Sequence, residues 1–184
     1  MCGHIHLPVQ SGSDAVLARM SRGYTRADYL ERIAALKAAR PGIQITGDMI
    51  VGFPGESEQD FLDTLSIMEE VGYADLFSFK YSARPGTKAA AYPDDVDGAV
   101  KQERLARLQE LQRHLTLERN RSFVGTVQKV LVEGESKRGD QLFGRTDGNR
   151  VVNFAGDSSL IGCMTEVAIT RAFQNSLAGE IRTN

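Results

Sequence analysis

Between residues 5 and 81 the chain alternates strand-like and helix-like periods in a fixed order, and this constrains the fold more than any other feature. Residues 5–9 (Ile-His-Leu-Pro-Val), 43–51 and 74–81 carry the apolar runs of three strands. Pro8 cannot donate to a ladder, so the first strand is expected to end there. Residues 14–20 predict a short helix. Thr25-Arg-Ala-Asp28 is a capping box opening a longer one, in which Tyr29, Leu30, Ile33, Leu36 and Lys37 recur with helical period until Pro41-Gly42 stops it. Ser57-Glu-Gln-Asp60 caps another helix, with Phe61, Leu62, Leu65, Met68 and Val71 on its apolar face and Gly72 at its end. Strand–helix–strand–helix–strand, with helices long enough to cross over, predicts a parallel sheet with right-handed connections.

Residues 82–97 are a loop rich in Pro, Gly, Ala and Asp, and a charged helix follows over roughly 97–121. Leu105, Leu108, Leu111, Leu115 and Leu117 lie on or near one stripe of it. The stripe is too short to favour a coiled coil and predicts packing on a domain surface. After residue 122 the pattern changes to five short strands, at 124–133, 141–147, 150–155, 164–173 and 177–182. Turns such as Lys137-Arg-Gly-Asp140 and Asp147-Gly-Asn149 separate them, which suggests a small antiparallel barrel of the oligonucleotide-binding kind. The expected divisions are 1–96 for the α/β part, 97–121 for a connecting helix and 122–184 for the barrel.

A net charge of -2 and 41% hydrophobic residues describe ordinary globular material, with no whole-chain case for nucleic-acid binding. Cys2 and Cys163 are far apart, which argues against a disulfide framework and against a zinc or iron–sulfur site made by this chain alone. His4 and His6 share a strand face, but no third metal ligand is evident, and no metal site is expected. No apolar run spans a bilayer and no secretory signal is visible, so a cytoplasmic protein without membrane attachment is expected. Met1-Cys2-Gly3-His4 leads almost directly into a strand, and the N-terminus reads as a cut.

In parallel α/β architectures, ligands gather at the carboxyl ends of strands. Here the first end offers Gln10, Ser11, Gly12 and Ser13. The second offers Gly52-Phe-Pro-Gly-Glu56, with Asp48 inside the strand, where a carboxylate is costly unless paired or ligand-bound. The third offers Lys80, Tyr81, Ser82, Arg84, Pro85 and Gly86. Glycines allow close backbone approach, an amide and a carboxylate suit the hydroxyls of a ribose, and an arginine such as Arg22 can take a carboxylate. A nucleoside with an amino-acid tail, the shape of S-adenosylmethionine (SAM), would use all three. Each residue also has a plainer reading: Gln10 as a strand-end cap, Arg22 as a helix cap, Gly52-Phe-Pro-Gly55 as a tight turn.

Four motifs, in order and spacing, resemble the radical-SAM methylthiotransferases: His6-Leu-Pro-Val-Gln-Ser-Gly-Ser13, Met20-Ser-Arg-Gly-Tyr-Thr25, Asp48-Met-Ile-Val-Gly-Phe-Pro-Gly-Glu56 and Phe79-Lys-Tyr-Ser-Ala-Arg-Pro-Gly-Thr87. The last domain resembles TRAM, the small RNA-binding β-barrel of those enzymes. Val132–Lys137, Leu142–Thr146 and Asn149–Phe154 look most like the type that adds a methylthio group to C2 of N6-isopentenyladenosine at position 37 of tRNA. The resemblance implies an α/β fold: the back half of a TIM-like radical-SAM barrel with parallel strands, then the TRAM barrel. It implies SAM and two [4Fe-4S] clusters as cofactors of the intact enzyme, tRNA as partner, and a monomer when intact. One SAM would donate methyl to sulfur, and another would give the radical that takes hydrogen from adenine C2. Carried over by motif, Gln10 and Asp48, with Ser11 beside them, hold the ribose side; Arg22 faces the methionine carboxylate; Ile50 packs on adenine; and Tyr81 closes the adenine pocket. Arg84–Thr87 lies near the site.

The family's Cys-x-x-x-Cys-x-x-Cys and its second set of three cysteines are absent from this sequence, and Cys2 and Cys163 cannot replace them. The expectation is therefore a C-terminal fragment that depends on a missing N-terminal portion and is catalytically inactive by itself. The alternatives are a sibling enzyme acting on N6-threonylcarbamoyladenosine in tRNA or on a ribosomal-protein aspartate, and a non-catalytic RNA-binding protein. Residues 122–184 hold seven Lys/Arg and seven Asp/Glu, so an RNA face must be local. Lys129, Lys137, Arg138, Arg145, Arg150 and Arg171 are its candidates. Phe143, Phe154 and Phe173 are either barrel core or stacking partners.

Overall fold

The computed structural model describes residues 3–136 and 141–182. Two compact units emerge: one spans Ile5–Leu115, and the other is the barrel with the end of the preceding helix, from Thr116 onward, together with the described residues before Ile5.

In the first unit, β1 (His4–His6), β2 (Gln44–Val51) and β3 (Asp75–Lys80) form a sheet in that order, with α1 (Asp14–Arg19), α2 (Arg26–Ala39) and α3 (Glu58–Val71) between the strands. β2 and β3 are parallel, with Asp48 opposite Phe77 and Ile50 opposite Phe79. β1 is shorter than the sequence suggested. Without an N–H, Pro8 leaves a gap in the ladder, and pairing resumes only as a single parallel bridge between Gln10 and Met49. Both expected capping boxes form, Thr25 with Asp28 and Ser57 with Asp60, and Gly72 ends α3 with φ +63°. The core gathers Ile33, Ile45, Met49, Phe61, Ile67 and Met68. α4 (Gly98–Arg121) lays Leu108, fully buried, on this core, with Leu105, Leu111 and Leu115 beside it. Burying such a leucine contributes roughly 1.5–3 kcal/mol.

Two buried tyrosines brace the sheet from behind. Tyr73 donates to the Tyr29 hydroxyl at 2.7 Å, and Tyr29 donates to the Leu7 carbonyl at 2.7 Å. Desolvation raises both phenols, Tyr29 to about 12, so the pair stays neutral and hydrogen-bonded at any physiological pH.

The second unit is a closed barrel of β4 (Val127–Glu135), β5 (Leu142–Thr146), β6 (Val151–Phe154), β7 (Met164–Ala172) and β8 (Leu177–Ile181), in the ring order β4-β5-β6-β8-β7. It is not wholly antiparallel as expected, because β6 and β8 run parallel. An odd number of strands cannot alternate direction around a closed ring, so at least one neighbouring pair must be parallel. Val130, Val152, Val167 and Leu177 fill the interior together with Phe154, all five without exposure. Gly144 is required by close approach, since a Cβ there would lie 2.2 Å from the Leu131 carbonyl oxygen.

Candidate functional site

At the carboxyl ends of β2 and β3 lies a cavity of about 750 Å³. Gln10, Arg22, Asp48, Ile50 and Tyr81 all line it, so the fold gathers five of the six residues expected to hold a nucleoside. The peptide groups of Gln10 are tied into the sheet. Its N–H donates to the Asp48 carbonyl at 3.0 Å, and its carbonyl accepts from Ile50 N–H at 2.9 Å. This fixes Gln10 at φ +78°, in the left-handed region. Ser21, also on the cavity wall, has φ +58°. Non-glycine residues held there cost on the order of 1–3 kcal/mol each and cluster at ligand sites.

Ser11 is the exception. It is fully buried and turned into the base of α3, where its hydroxyl meets Thr64 Oγ1 at 3.2 Å and accepts from Ser13 N–H at 3.2 Å. Thr64 also accepts from Gly12 N–H at 2.9 Å. At Gly12 a Cβ would lie 2.3 Å from the Asp63 carbonyl oxygen, so only glycine permits the approach. Ser13 caps α1 and donates to Asp60. The Ser11–Ser13 stretch therefore packs the loop that presents Gln10, and does not itself face the cavity.

Asp48 keeps a partly exposed carboxylate, 29% accessible, with Oδ2 3.5 Å from His6 Nε2. The imidazole is oriented by Thr46 Oγ1, 3.0 Å from its Nδ1, and by the edge of Phe77, ring centroids 6.1 Å apart. Tyr81 donates to the Ala89 carbonyl at 2.9 Å and stacks edge-on against Phe53 at 5.1 Å. The turn after β2 is set from beneath. Glu56, buried, accepts from Gly52 N–H at 2.8 Å and pairs with the buried guanidinium of Arg104 at 2.8 Å. Desolvation pushes the Glu56 carboxyl above its ordinary range, against the pull of Gly52 N–H and Arg104.

Sequence reasoning missed Arg19, which lines the cavity and donates to the Gly55 carbonyl at 2.8 Å. Its Nε is buried with no partner among the described residues. Its position in the last turn of α1, three residues before Arg22, was the available signal. Phe53 and Phe79 line the same cavity.

In the barrel the candidate cations are dispersed. Arg145 pairs with Glu133 at 3.3 Å and donates to Asn149 Oδ1 at 3.1 Å, while Lys129 is exposed on β4 and Arg150 precedes β6. Lys137 and Arg138 lie outside the described residues. Of the three phenylalanines, Phe154 is core. Phe143 and Phe173 line a second cavity, about 940 Å³, together with Arg171.

The model of the radical SAM superfamily matches residues 2–68, and that of the TRAM domain matches residues 121–181. Residues 2–68 are thus similar to the radical SAM superfamily, and residues 121–181 are similar to the TRAM domain. Among its relatives is the tRNA-2-methylthio-N(6)-dimethylallyladenosine synthase of Geobacter sulfurreducens, 71% identical over 184 residues, 100% of this chain and 41% of the relative. Proteins of the same name from Geotalea uraniireducens and Pelobacter propionicus are 67% and 59% identical, each over 98% of this chain and 41% of the relative. The chain thus spans about 41% of the length of these curated relatives. The methylthiotransferase resemblance drawn from the four motifs agrees with them.

The match of residues 2–68 to the radical SAM superfamily points to SAM and iron–sulfur chemistry. The cavity suits SAM: a carboxylate, an amide, three arginines and aromatic walls surround it, and the Arg19 Nε lacks a protein acceptor. An iron–sulfur cluster does not fit the described residues, where no group of three His, Cys, Asp or Glu comes together. No helix among the described residues is long and apolar enough to cross a membrane.

Proposed function

We propose that this chain forms the nucleoside-holding and RNA-gripping part of a radical-SAM tRNA methylthiotransferase that places a methylthio group on C2 of N6-isopentenyladenosine. The observation that carries this reading is the convergence of Gln10, Arg22, Asp48, Ile50 and Tyr81 on one cavity at the strand ends. Asp48 and Gln10 accept and donate to the ribose hydroxyls of SAM. Arg22 and Arg19 supply guanidinium donors for its carboxylate, and Ile50 and Tyr81 bound the adenine. Bound SAM supplies the methyl group and the hydrogen-abstracting chemistry of the intact enzyme, whose two iron–sulfur clusters would be held outside the residues described here. The work divides into the α/β part for SAM, 1–96, the helix 97–121 and the barrel 122–184 for tRNA. Lys129, Arg145, Arg150 and Arg171 face phosphates, with Lys137 and Arg138 in the same set.

Equilibrium dialysis of labelled SAM against the chain tests the pocket. Asp48→Ala is expected to weaken binding by about tenfold or more, since hydrogen bonds to charged groups contribute about 1.5–3 kcal/mol. Unchanged affinity would remove the ribose assignment. For the reaction, the chain can replace the matching segment of the Geobacter sulfurreducens relative. A folded, cluster-loaded chimera that forms no 2-methylthio product on tRNA would overturn the activity assignment.

A further inference from the structure

The barrel cavity is not used by a grip on phosphates alone. Phe143 and Asn153 on β5 and β6 line it, as do Arg171 near the end of β7 and Phe173 and Asn175 at the β7–β8 turn. In an oligonucleotide-binding barrel this is the face formed by the second and third strands and flanked by the loop before the last strand.

Three observations say what would fill it. First, Phe173 is 46% exposed although a deep apolar core lies close by in the same barrel. Second, the backbone that carries the ring is held in place. Asn120, fully buried, donates its side-chain amide to the carbonyls of Phe173 at 2.7 Å and Gln174 at 3.2 Å, and Phe173 N–H donates to the Ser176 carbonyl at 2.8 Å. The loop is thus prepared in advance, and a ligand need not bear the ordering entropy. Third, the surroundings are chemically selective. The Arg171 guanidinium lies 5.7 Å from the Phe173 ring centroid, Asn153 and Asn175 bring amides that both donate and accept, and no carboxylate is among the described residues lining the cavity. A flat aromatic face, one cation and amides, without a competing anion, match an unstacked base with its phosphate. A base inside a duplex has both faces covered by its neighbours and cannot offer one to Phe173.

We propose that this cleft holds a single unpaired nucleotide of the RNA, its base against Phe173, its edge at Asn153 and Asn175, and its phosphate at Arg171. This rests on the tRNA reading above and goes beyond it, because it makes the barrel a reader of single-stranded RNA and not only a counter-charge.

The test uses the full chain and two RNAs of one sequence, a hairpin with 2-aminopurine in its loop and a blunt duplex. The loop RNA is expected to bind more tightly, with a change in probe fluorescence. Phe173→Leu should weaken it about tenfold, within the range for loss of one base–aromatic stack, with the salt slope unchanged. Phe173→Tyr should restore it. Arg171→Gln should lower the salt slope by about one. Unchanged affinity in Phe173→Leu, or equal affinity for hairpin and duplex, overturns the stacking site while leaving the tRNA grip standing. If the unaltered chain binds neither RNA, the tRNA reading fails and this one falls with it. Because Phe173 is exposed, its substitution should leave the melting temperature nearly unchanged, which separates lost binding from lost fold.

Discussion

The two cavities are held in place by different means. Around the α/β cavity, backbone geometry comes first. Gln10 and Ser21 sit at positive φ, Gly12 touches the backbone of α3, and the turn after β2 is clamped by the buried Glu56–Arg104 pair. The barrel cleft is lined by side chains on regular strands and one short turn, and the buried Asn120 anchors that turn. Its ion pairs, such as Arg145–Glu133, are exposed. The first arrangement suits a small ligand held in one pose. The second leaves an open platform suited to a polymer that arrives in many conformations.

The largest expected effect tests the clamp. Arg104→Met strands a buried carboxylate and should cost about 3–5 kcal/mol in chemical denaturation, while adding Glu56→Leu should recover most of it. The matching change in the barrel, Arg145→Gln, removes an exposed pair and should move stability by less than about 1 kcal/mol. Equal losses would abolish the contrast. Gly12→Ala should cost about 1–3 kcal/mol by overpacking, and Gly144→Ala about the same within the barrel, because both glycines meet backbone. Calorimetry reads each loss.

Asn120→Ala removes two hydrogen bonds to the turn and should cost about 1–2 kcal/mol. It should also lower affinity for the hairpin RNA, which a purely structural asparagine would not do. His6→Ala should leave the melting temperature unchanged and weaken SAM by about 3- to 10-fold through the freed Asp48 carboxylate, with His6→Gln restoring part of it. An unchanged SAM affinity would show that Asp48 needs no orienting partner.

Asp60 gives the smallest effect, and it depends on pH. Burial pushes its carboxyl up, but hydrogen bonds from Ser13 and Ser57 and the charge of Arg19 outweigh this, and the net shift is downward. A carboxyl lowered on folding stabilises the protein fully above its unfolded value, about 3.9, and loses that contribution as pH falls through the lower folded value. The melting-temperature gap between the unaltered chain and Asp60→Asn should therefore be widest near neutrality and close in acid. A gap independent of pH would assign the effect to packing.

Much of the α/β unit was legible because its signals are local. Capping boxes, helix periods and the Gly72 stop each lie within a few residues, and strand ends followed directly. Five of the six SAM candidates reached the cavity for that reason. Ser11 did not, because which way a loop hydroxyl turns depends on Thr64, distant in sequence. Arg19 was missed because a helix-end arginine looks like a favourable charge at the helix dipole until its neighbours are known. The short β1 was signalled by Pro8, and the length of the gap was not.

Composition and spacing determined the order of elements, the caps, the parallel sheet, and the motifs by which this chain resembles the radical SAM superfamily. Tertiary structure alone decided the rest. A five-membered ring forces β6 and β8 to run parallel, Phe154 goes inside while Phe173 stays out, and Asn120 fixes the turn that presents the exposed ring. The physical reason is the range of the interactions. Caps and periods act between residues close in sequence, whereas ring closure, burial and the anchoring of a turn by a side chain more than fifty residues away exist only once the chain has folded.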